Sequence, residues 1–310
     1  MNKCPISYES CGDMRYSLKG LHQFSPHLND LSILNYTAQE LRREATFRAT
    51  KMSIQGVQAK LSLRLSTQKQ LFEIVDMNGT FILKPQSDMY EQLPENEDLT
   101  MKMAQIFGIN VPSHGLIYGK DDELNYIIKR FDRYGKSKKY HVEDFAQLTQ
   151  NTRETKYKSS IEKLIPVIEN YCTFPMLEKL KLFRRVLFCF VTGNEDMHLK
   201  NFSLIIKDKK VELSPAYDLL NTSIAVKNPQ EELALPLAGK RNRINSDVLF
   251  KYFASERLGL SEKSIQKEQE NLDKKKKIMS ELIDISFLTK ALKKDYHDLM
   301  NERIARLTHS

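Results

Sequence analysis

The feature that most constrains the fold of this chain is a change in the spacing of its apolar residues near residue 128. Before that point, short stretches such as 61–65 (LSLRL) alternate apolar and polar residues, which is the period of a half-buried β-strand. Beyond it, apolar residues recur three and four apart in 175–191, which is the period of an amphipathic helix. The spacing therefore predicts an α+β fold, with a β-rich N-terminal lobe over 1–128 and an α-helical C-terminal lobe over 129–310.

Local signals place further elements on both sides of this change. Asn78-Gly79 separates two β-like stretches, 71–76 and 80–84, and predicts a hairpin because both positions of a tight turn there favour positive φ. Acidic residues at the start of 95–107 favour a helix, which Gly108 can end. We also expect strands at 116–118, 124–128, 202–206 and 210–213, and mainly helical structure from about residue 245.

The composition is that of a globular protein. Of the 310 residues, 41% are hydrophobic and 28% charged, which excludes a disordered, collagen-like or disulfide-scaffold chain. The four cysteines form no Cys-x-x-Cys pair, and we expect reduced thiols. No apolar run reaches the roughly 18 residues of a membrane span, and no secretory signal is visible, so we expect a cytoplasmic protein without membrane contact.

The charge of the chain favours anionic partners. Lys and Arg number 48 against 40 Asp and Glu, which gives a formal net charge of +8. Nucleic acid, nucleotide phosphates and acidic protein surfaces all suit this balance, and the charge alone does not choose among them.

The most informative segment is GNEDMHLKN at 193–201, between a predicted helix and a predicted hairpin. Its Asp196 and Asn201 are five positions apart, the spacing of the base and the metal-binding Asn in the protein-kinase loop H-R-D-x-x-x-x-N. An Asp there can handle the proton of a substrate hydroxyl, and an Asn offers a neutral oxygen to Mg²⁺. The same spacing also arises by chance in ordinary loops.

Two more charged residues fall where phosphoryl transfer would need them. Asp218 follows the predicted hairpin and can act as a second metal ligand, although it can equally cap a helix. Lys84 ends a predicted strand and can reach nucleotide phosphates, or it can be an ordinary lysine of an edge strand. We expect Glu97 of the next helix to pair with Lys84, with Glu95 as the second choice.

The segment SIQGVQAK at 53–60 precedes the first strand and is a candidate phosphate loop. It has one glycine, so it is neither a kinase G-x-G-x-x-G loop nor a Walker loop, and a plain β-turn is the alternative. Its backbone amides could still contact phosphates. The features described so far follow the chain in the order phosphate loop, strand lysine, helix glutamate, Asp-x₄-Asn and metal aspartate, and this joint order favours a kinase.

With these motifs the chain resembles the HipA family of bacterial serine/threonine kinase toxins, and within it the shorter HipT type. The matching segments are 53–61 (SIQGVQAKL), 81–85 (FILKP), 95–97 (ENE), 128–133 (IKRFDR), 143–144 (ED), 196–201 (DMHLKN) and 217–218 (YD). The Asp-x-His-x-x-Asn order is also similar to that of phosphoinositide kinases. The resemblance implies a two-lobed protein-kinase-like fold with ATP and Mg²⁺ as cofactors.

The resemblance also implies a role for each matching residue. It makes Asp196 the catalytic base, Asn201 and Asp218 the Mg²⁺ ligands, and Lys84 a phosphate-binding residue. The implied nucleotide contacts are the phosphate loop Gln55, Gly56, Val57, Gln58, Ala59 and Lys60, the adenine-binding hinge Lys129 and Phe131, and His198, Lys200 and Tyr217. Ser53 matches the serine that the family autophosphorylates.

The implied function is that of an ATP-dependent toxin of a toxin–antitoxin system, whose target in the family is an aminoacyl-tRNA synthetase. HipT-type chains lack an N-terminal subdomain, so the resemblance implies a small antitoxin that supplies it on the β-rich half, unless residues 1–45 fill the gap. The resemblance also implies a helix-turn-helix partner, and we expect this chain to contact DNA only through that partner. The alternatives are an inactive kinase-fold binding module in a repressor complex, or a phosphoinositide or small-molecule kinase.

Overall fold

The computed structural model describes residues 2–49, 58–135, 137–152, 154–226 and 231–308. Within these residues the strands, β1 to β12 in chain order, are Asn2–Lys3, Ser10–Gly12, Leu61–Ser66, Leu71–Ile74, Phe81–Lys84, His114–Tyr118, Leu124–Lys129, Arg133–Tyr134, Lys138–Lys139, His141–Asp144, Ser203–Lys207 and Lys210–Leu213. The α-helices, α1 to α9, are Leu18–Phe24, Ala38–Ala49, Leu93–Phe107, Phe145–Leu148, Leu164–Tyr171, Pro175–Val191, Thr222–Ala225, Glu262–Asp284 and Lys290–Thr308. Asp247–Arg257 is a π-helix, and Ile161–Lys163 and Leu199–Asn201 are 3₁₀ turns.

The chain divides into two compact units. Unit 1 comprises Met1–Leu99, Pro112–Ser137 and Ile285–Leu288, and unit 2 comprises Thr100–Val111, Lys138–Asp284 and Thr289–Ser310. Helix α3 begins in unit 1 and ends in unit 2. These limits differ from the lobes at 1–128 and 129–310 expected from the sequence, and that division stays a prediction.

Unit 1 is built on a five-stranded antiparallel sheet with the order β4-β3-β5-β7-β6. The predicted hairpin across Asn78-Gly79 is wrong. Strands β4 and β5 do not pair with each other, because β4 pairs with one edge of β3 and β5 with the other. Of the two turn positions only Asn78 has a positive φ, 57°. The connecting segment bonds to β3 instead: Val75 N–H donates to the Ser62 carbonyl at 2.9 Å and Thr80 N–H to the Leu63 carbonyl at 2.8 Å.

The register assigns opposite faces of this sheet to different partners. Leu61, Leu83 and Ile127 stand opposite one another on one face, whereas Lys84 and Tyr126 stand opposite each other on the other face. The first face is lined by apolar side chains of the unit 1 core. The second face carries Lys84, whose ammonium meets a side chain of α3.

The N-terminal segment covers the apolar face of the sheet. The unit 1 core joins sheet residues to buried side chains from this segment, among them Ile6, Leu21 and Leu41. The approach is close at Gly115, where an added Cβ would lie 2.9 Å from Cγ2 of Ile6. In the described residues, therefore, 2–45 cover this face, which agrees with the alternative in which residues 1–45 fill the gap. The separate antitoxin stays a prediction.

Unit 2 is mainly helical, as predicted, and contains one small sheet that the sequence signalled only in part. The predicted hairpin is formed by β11 and β12, and β10 adds a third strand, with His141 opposite Ile206. Helix α6 spans Pro175–Val191, as expected, and its last two turns are buried almost all round. No helix in the described ranges combines the length and the apolar composition that crossing a membrane requires.

Candidate active site

Lys84 and Glu97 form a buried ion pair in unit 1. Lys84 Nζ donates to Glu97 Oε1 at 2.5 Å, and the two side chains are 4% and 1% exposed. Lys84 Nζ also lies 5.6 Å from the ring centroid of Tyr126. Because β5 lies between β3 and β7, Lys84 is not an edge-strand lysine, and the structure brings together the lysine and the glutamate that the sequence paired.

Other polar residues of α3 are also buried. Both carboxylate oxygens of Glu95 accept from Gln86 Nε2 at 2.9 Å. Glu95, the second choice as partner of Lys84, is therefore paired with Gln86. Burial raises the pKa of Glu95 to about 7, an effect that the hydrogen bond from Gln86 opposes and the charges of Glu123 and Asp98 reinforce. Asp98 contacts Nδ1 of His114 at 2.8 Å, also in a buried site.

The loop 193–201 of unit 2 is held in one conformation by its own polar groups. Gly193 has φ 66°, and a Cβ there would lie 2.4 Å from Cδ2 of Leu299. Thr222 Oγ1 donates to the Gly193 carbonyl at 3.0 Å and accepts from Glu195 N–H at 2.7 Å. These contacts fix the loop directly after α6, so the residues that follow have a rigid support.

Asp196 is half-exposed and has contacts on two sides. Its N–H donates to Asn194 Oδ1 at 3.1 Å, and its carbonyl accepts from Asn201 Nδ2 at 2.9 Å. The Tyr157 hydroxyl donates to its carboxylate Oδ1, and His198 Nε2 lies 3.9 Å from the same oxygen. The carboxylate is therefore placed by the loop backbone and can accept further hydrogen bonds.

His198 is buried beside this carboxylate. Burial lowers its pKa, and the Lys156 ammonium lowers it further, while Asp196 and Asp218 act in the opposite direction. Lys156 Nζ lies 2.7 Å from His198 Nε2, which is the geometry of an ammonium donating to a neutral imidazole. The segment that carries Asp218 meets the loop 193–201 through its neighbour Tyr217, whose hydroxyl donates to the Lys200 carbonyl.

Asp218 and Tyr217 follow β12. Asp218 has φ 54°, in the left-handed region that few residues other than Gly, Asn and Asp adopt. It does not cap a helix there, because α7 is capped by Asn221, whose Oδ1 accepts from Ile224 N–H at 3.1 Å. The Tyr217 hydroxyl donates to the Lys200 carbonyl at 3.0 Å, and burial raises its pKa, so the donor stays protonated.

Asn201 and Asp218 offer oxygen ligands of the kind that Mg²⁺ prefers. Because Nδ2 of Asn201 donates to the loop backbone, Oδ1 is the amide atom left for a cation. In the part of the chain that is described, no group of three or more His, Cys, Asp or Glu side chains could hold a metal. These two residues fit an ion that is shared with phosphate oxygens and water, as Mg²⁺ commonly is.

The remaining predicted nucleotide contacts are only partly described. Ser53, Gln55, Gly56 and Val57 lie outside the described residues, whereas Gln58, Ala59 and Lys60 lead directly into β3 with partly buried side chains. In the predicted hinge, Lys129 N–H donates to the Ser113 carbonyl at 2.8 Å. That donor is used within unit 1, and the adenine-binding role of Lys129 and Phe131 stays a prediction.

Some residues that contact the loop 193–201 from elsewhere in the chain were not predicted from the sequence. Lys156 and Tyr157 lie about 40 residues before that loop, in a stretch without periodicity or a motif. Arg185 was not predicted either: it is buried in α6, and its Nη2 donates to the Ser214 carbonyl at 2.8 Å. An arginine among the apolar residues of a helix was the only signal that could have indicated it.

Comparisons with known proteins show the family of the chain. The family model described as "HipA-like C-terminal domain" matches residues 52–282. A Haemophilus influenzae protein named "Putative kinase" is 31% identical over 244 residues, which are 73% of this chain and 69% of that protein. The "Serine/threonine-protein kinase toxin HipA" of Shewanella oneidensis is 26% identical over 208 residues, 60% of this chain and 47% of that protein, so the chain spans about half of its length.

Two solved structures share the fold. One is HipA of the Shewanella oneidensis toxin–antitoxin system in complex with HipB and operator DNA, with a TM-score of 0.69 and 21% identity over 90% of this chain and 72% of that chain. The other is the Helicobacter pylori proinflammatory kinase CtkA, with a TM-score of 0.58 and 16% identity over 83% of this chain and 91% of that chain. The chain therefore has a kinase-like fold, as the sequence predicted.

Proposed function

Because the chain belongs to the family of HipA-like C-terminal domains, we propose that it is a protein kinase that transfers the γ-phosphoryl group of ATP to a serine or threonine hydroxyl. The observation that carries the proposal is the fixed loop in which Asn201 Nδ2 donates to the carbonyl of Asp196. This bond joins the Asn201 side chain to the backbone of Asp196 within one loop of unit 2. It is the arrangement that proton acceptance and cation binding require of neighbouring residues.

Each residue of the candidate site has one role in this proposal. Asp196 accepts the proton of the acceptor hydroxyl, Asn201 and Asp218 bind the metal, and Lys84, oriented by Glu97, binds phosphate. When bound, Mg·ATP supplies the phosphoryl group and the positive charge that offsets its developing negative charge. The phosphate loop 55–60, the hinge at Lys129 and Phe131, and His198, Lys200 and Tyr217 complete the proposed nucleotide contacts.

We further propose that the kinase acts as a toxin, controlled by partners. The support is the name of the Shewanella oneidensis relative, a kinase toxin, and the complex of its structure with HipB and operator DNA. The proposed partners are a DNA-binding helix-turn-helix protein and a small antitoxin of the HipT type, and the proposed target is an aminoacyl-tRNA synthetase. The case for the antitoxin rests on the family resemblance, since 2–45 already cover the sheet face.

The test is transfer of label from γ-labelled ATP in the presence of Mg²⁺ and a bacterial lysate, followed by phosphoamino acid analysis. We expect phosphoserine or phosphothreonine on a protein, loss of transfer when Mg²⁺ is chelated, and label at Ser53 of the chain itself. Label on a lipid or a small metabolite would assign the other kinase class. Binding of ATP without any transfer would assign a kinase-fold binding module.

Expression in cells tests the toxin role separately. We expect growth to stop, and co-expression of a neighbouring reading frame to restore it. Kinase activity without growth arrest would support the assignment as a kinase and exclude the role as a toxin.

A further inference from the structure

Tyr157 belongs to none of the motifs that indicated the site, yet its hydroxyl donates to the Asp196 carboxylate. Its ring packs edge-on against His198, with centroids 5.0 Å apart, and Lys156 Nζ lies 4.8 Å from its centroid. Burial raises the pKa of Tyr157 and the bond to Asp196 raises it further, so the phenol keeps the proton that it donates.

The position of Tyr157 is fixed by the backbone as well as by its side chain. Leu199 N–H donates to the Lys156 carbonyl at 3.4 Å, and this bond joins the segment to the loop that carries Asp196. On the other side, Arg241 Nη2 donates to the Tyr157 carbonyl at 3.2 Å, and Arg241 is itself paired with Glu231 at 2.8 Å. Several independent contacts therefore hold the tyrosine against the carboxylate.

The hydrogen bond from the Tyr157 hydroxyl to Asp196 is of the same kind as the one that a substrate hydroxyl would form. In the proposed function, a serine or threonine hydroxyl must donate to the same carboxylate before it can attack the phosphoryl group. We infer that Tyr157 occupies the acceptor-hydroxyl position on Oδ1 of Asp196, so that a protein acceptor reaches this oxygen only after the Tyr157 hydroxyl has left it. This inference rests on the proposed function and adds to it a residue that controls acceptor access.

The test compares Tyr157→Phe with the wild-type chain, using a purified Asp196→Asn copy of the chain as acceptor and ATP with Mg²⁺ as donor. Removing a hydrogen bond to a charged group should raise kcat/KM for the acceptor roughly tenfold. The KM for ATP should stay within about twofold of the wild-type value, because the phenylalanine keeps the ring. Arg241→Gln, which removes an anchor of the segment, should change kcat/KM in the same direction.

Tyr252→Phe is the matched control, because the Tyr252 hydroxyl donates to a different carboxylate, Glu162, at 3.2 Å. It should leave kcat/KM unchanged, and urea unfolding should show that every variant is folded. If the wild-type chain transfers phosphate and Tyr157→Phe is equal to it or slower, the tyrosine orients the base or does nothing, and this inference is overturned. If the folded wild-type chain transfers no phosphate at all, the proposed function fails and the inference fails with it.

Discussion

Lys84 Nζ and Glu97 Oε1 lie 2.5 Å apart, and water reaches almost none of either side chain. Removing one partner leaves the other charge buried, so we expect Lys84→Met to lower the free energy of unfolding by about 3–5 kcal/mol. The double variant Lys84→Met/Glu97→Gln should cost less than the sum of the single variants. Urea unfolding measures all three.

The exposed pair of Lys294 Nζ and Asp298 Oδ2, 2.7 Å apart, provides the control. Lys294→Met should leave the free energy of unfolding unchanged within error, because solvent screens an exposed pair. Additive costs in the Lys84–Glu97 cycle would show that the buried pair is not energetically coupled.

Glu95 makes the stability of unit 1 depend on pH. Its pKa is about 7 in the folded chain, above the ordinary value of about 4.3 for glutamate, so the folded state binds the proton more tightly than the unfolded state. The stabilisation is complete below the unfolded pKa and is lost as pH rises through 7. Between pH 5.5 and 8 the loss should be about 2 kcal/mol.

Glu95→Gln should remove this dependence, because the amide has no proton to lose in that range. The measurement is the difference in the free energy of unfolding between wild type and variant at the two pH values. A difference that does not change with pH would mean that burial does not perturb this carboxyl.

Asp218 should make nucleotide binding depend on Mg²⁺. Asp218→Asn keeps the left-handed backbone and removes the charge, so Mg²⁺ should strengthen ATP binding much less in this variant than in the wild type. Titration with ATP, with and without Mg²⁺, measures the effect.

Asp208→Asn is the comparison, since Asp208 also has a positive φ, 49°, in an exposed turn. It should behave as the wild type. Equal enhancement by Mg²⁺ in all three proteins would exclude Asp218 as a metal ligand.

The N-terminal segment should be needed for the stability of unit 1. Leu41 is fully buried in its core, so Leu41→Ala should lower the free energy of unfolding by about 2–5 kcal/mol. Leu18, with 50% of its surface exposed, gives a matched leucine whose replacement by alanine should cost little. Equal, small effects would mean that the segment does not form part of the core in solution.

The sequence predicted elements best where one local period decided them. Leu61, Leu63 and Leu65 lie on the apolar face of β3, and this burial on one face is what produces their alternation. Helix α6 was predicted over its full length for the same reason, with a period of 3.6 residues. In contrast, the Asn78-Gly79 turn signal is local, while the pairing of β4 and β5 with β3 depends on the whole sheet, and there the prediction was wrong.

The candidate site shows the same difference between residues that local sequence determines and residues that tertiary packing determines. Asp196, Asn201 and Asp218 were indicated by their spacing, because one short loop and the two strands that follow it are set by the local sequence. Tyr157 was not, since its contribution is one hydroxyl brought to Asp196 by tertiary packing across 39 residues of chain. The cover of the sheet by residues 2–45 was only an alternative at the level of sequence, because several of its buried residues, such as Ile6, Leu28 and Leu31, lie in loops, where burial leaves no period.

The central claim is that Asp196 is the base of a phosphoryl transfer, and Asp196→Asn tests it most directly. The change is nearly isosteric and removes the carboxylate that accepts the proton, so the rate of transfer from labelled Mg·ATP should fall by about 10²- to 10⁴-fold. ATP affinity, measured on the same preparation, should stay close to that of the wild type. Transfer at a near wild-type rate by the folded, ATP-binding variant would contradict the account.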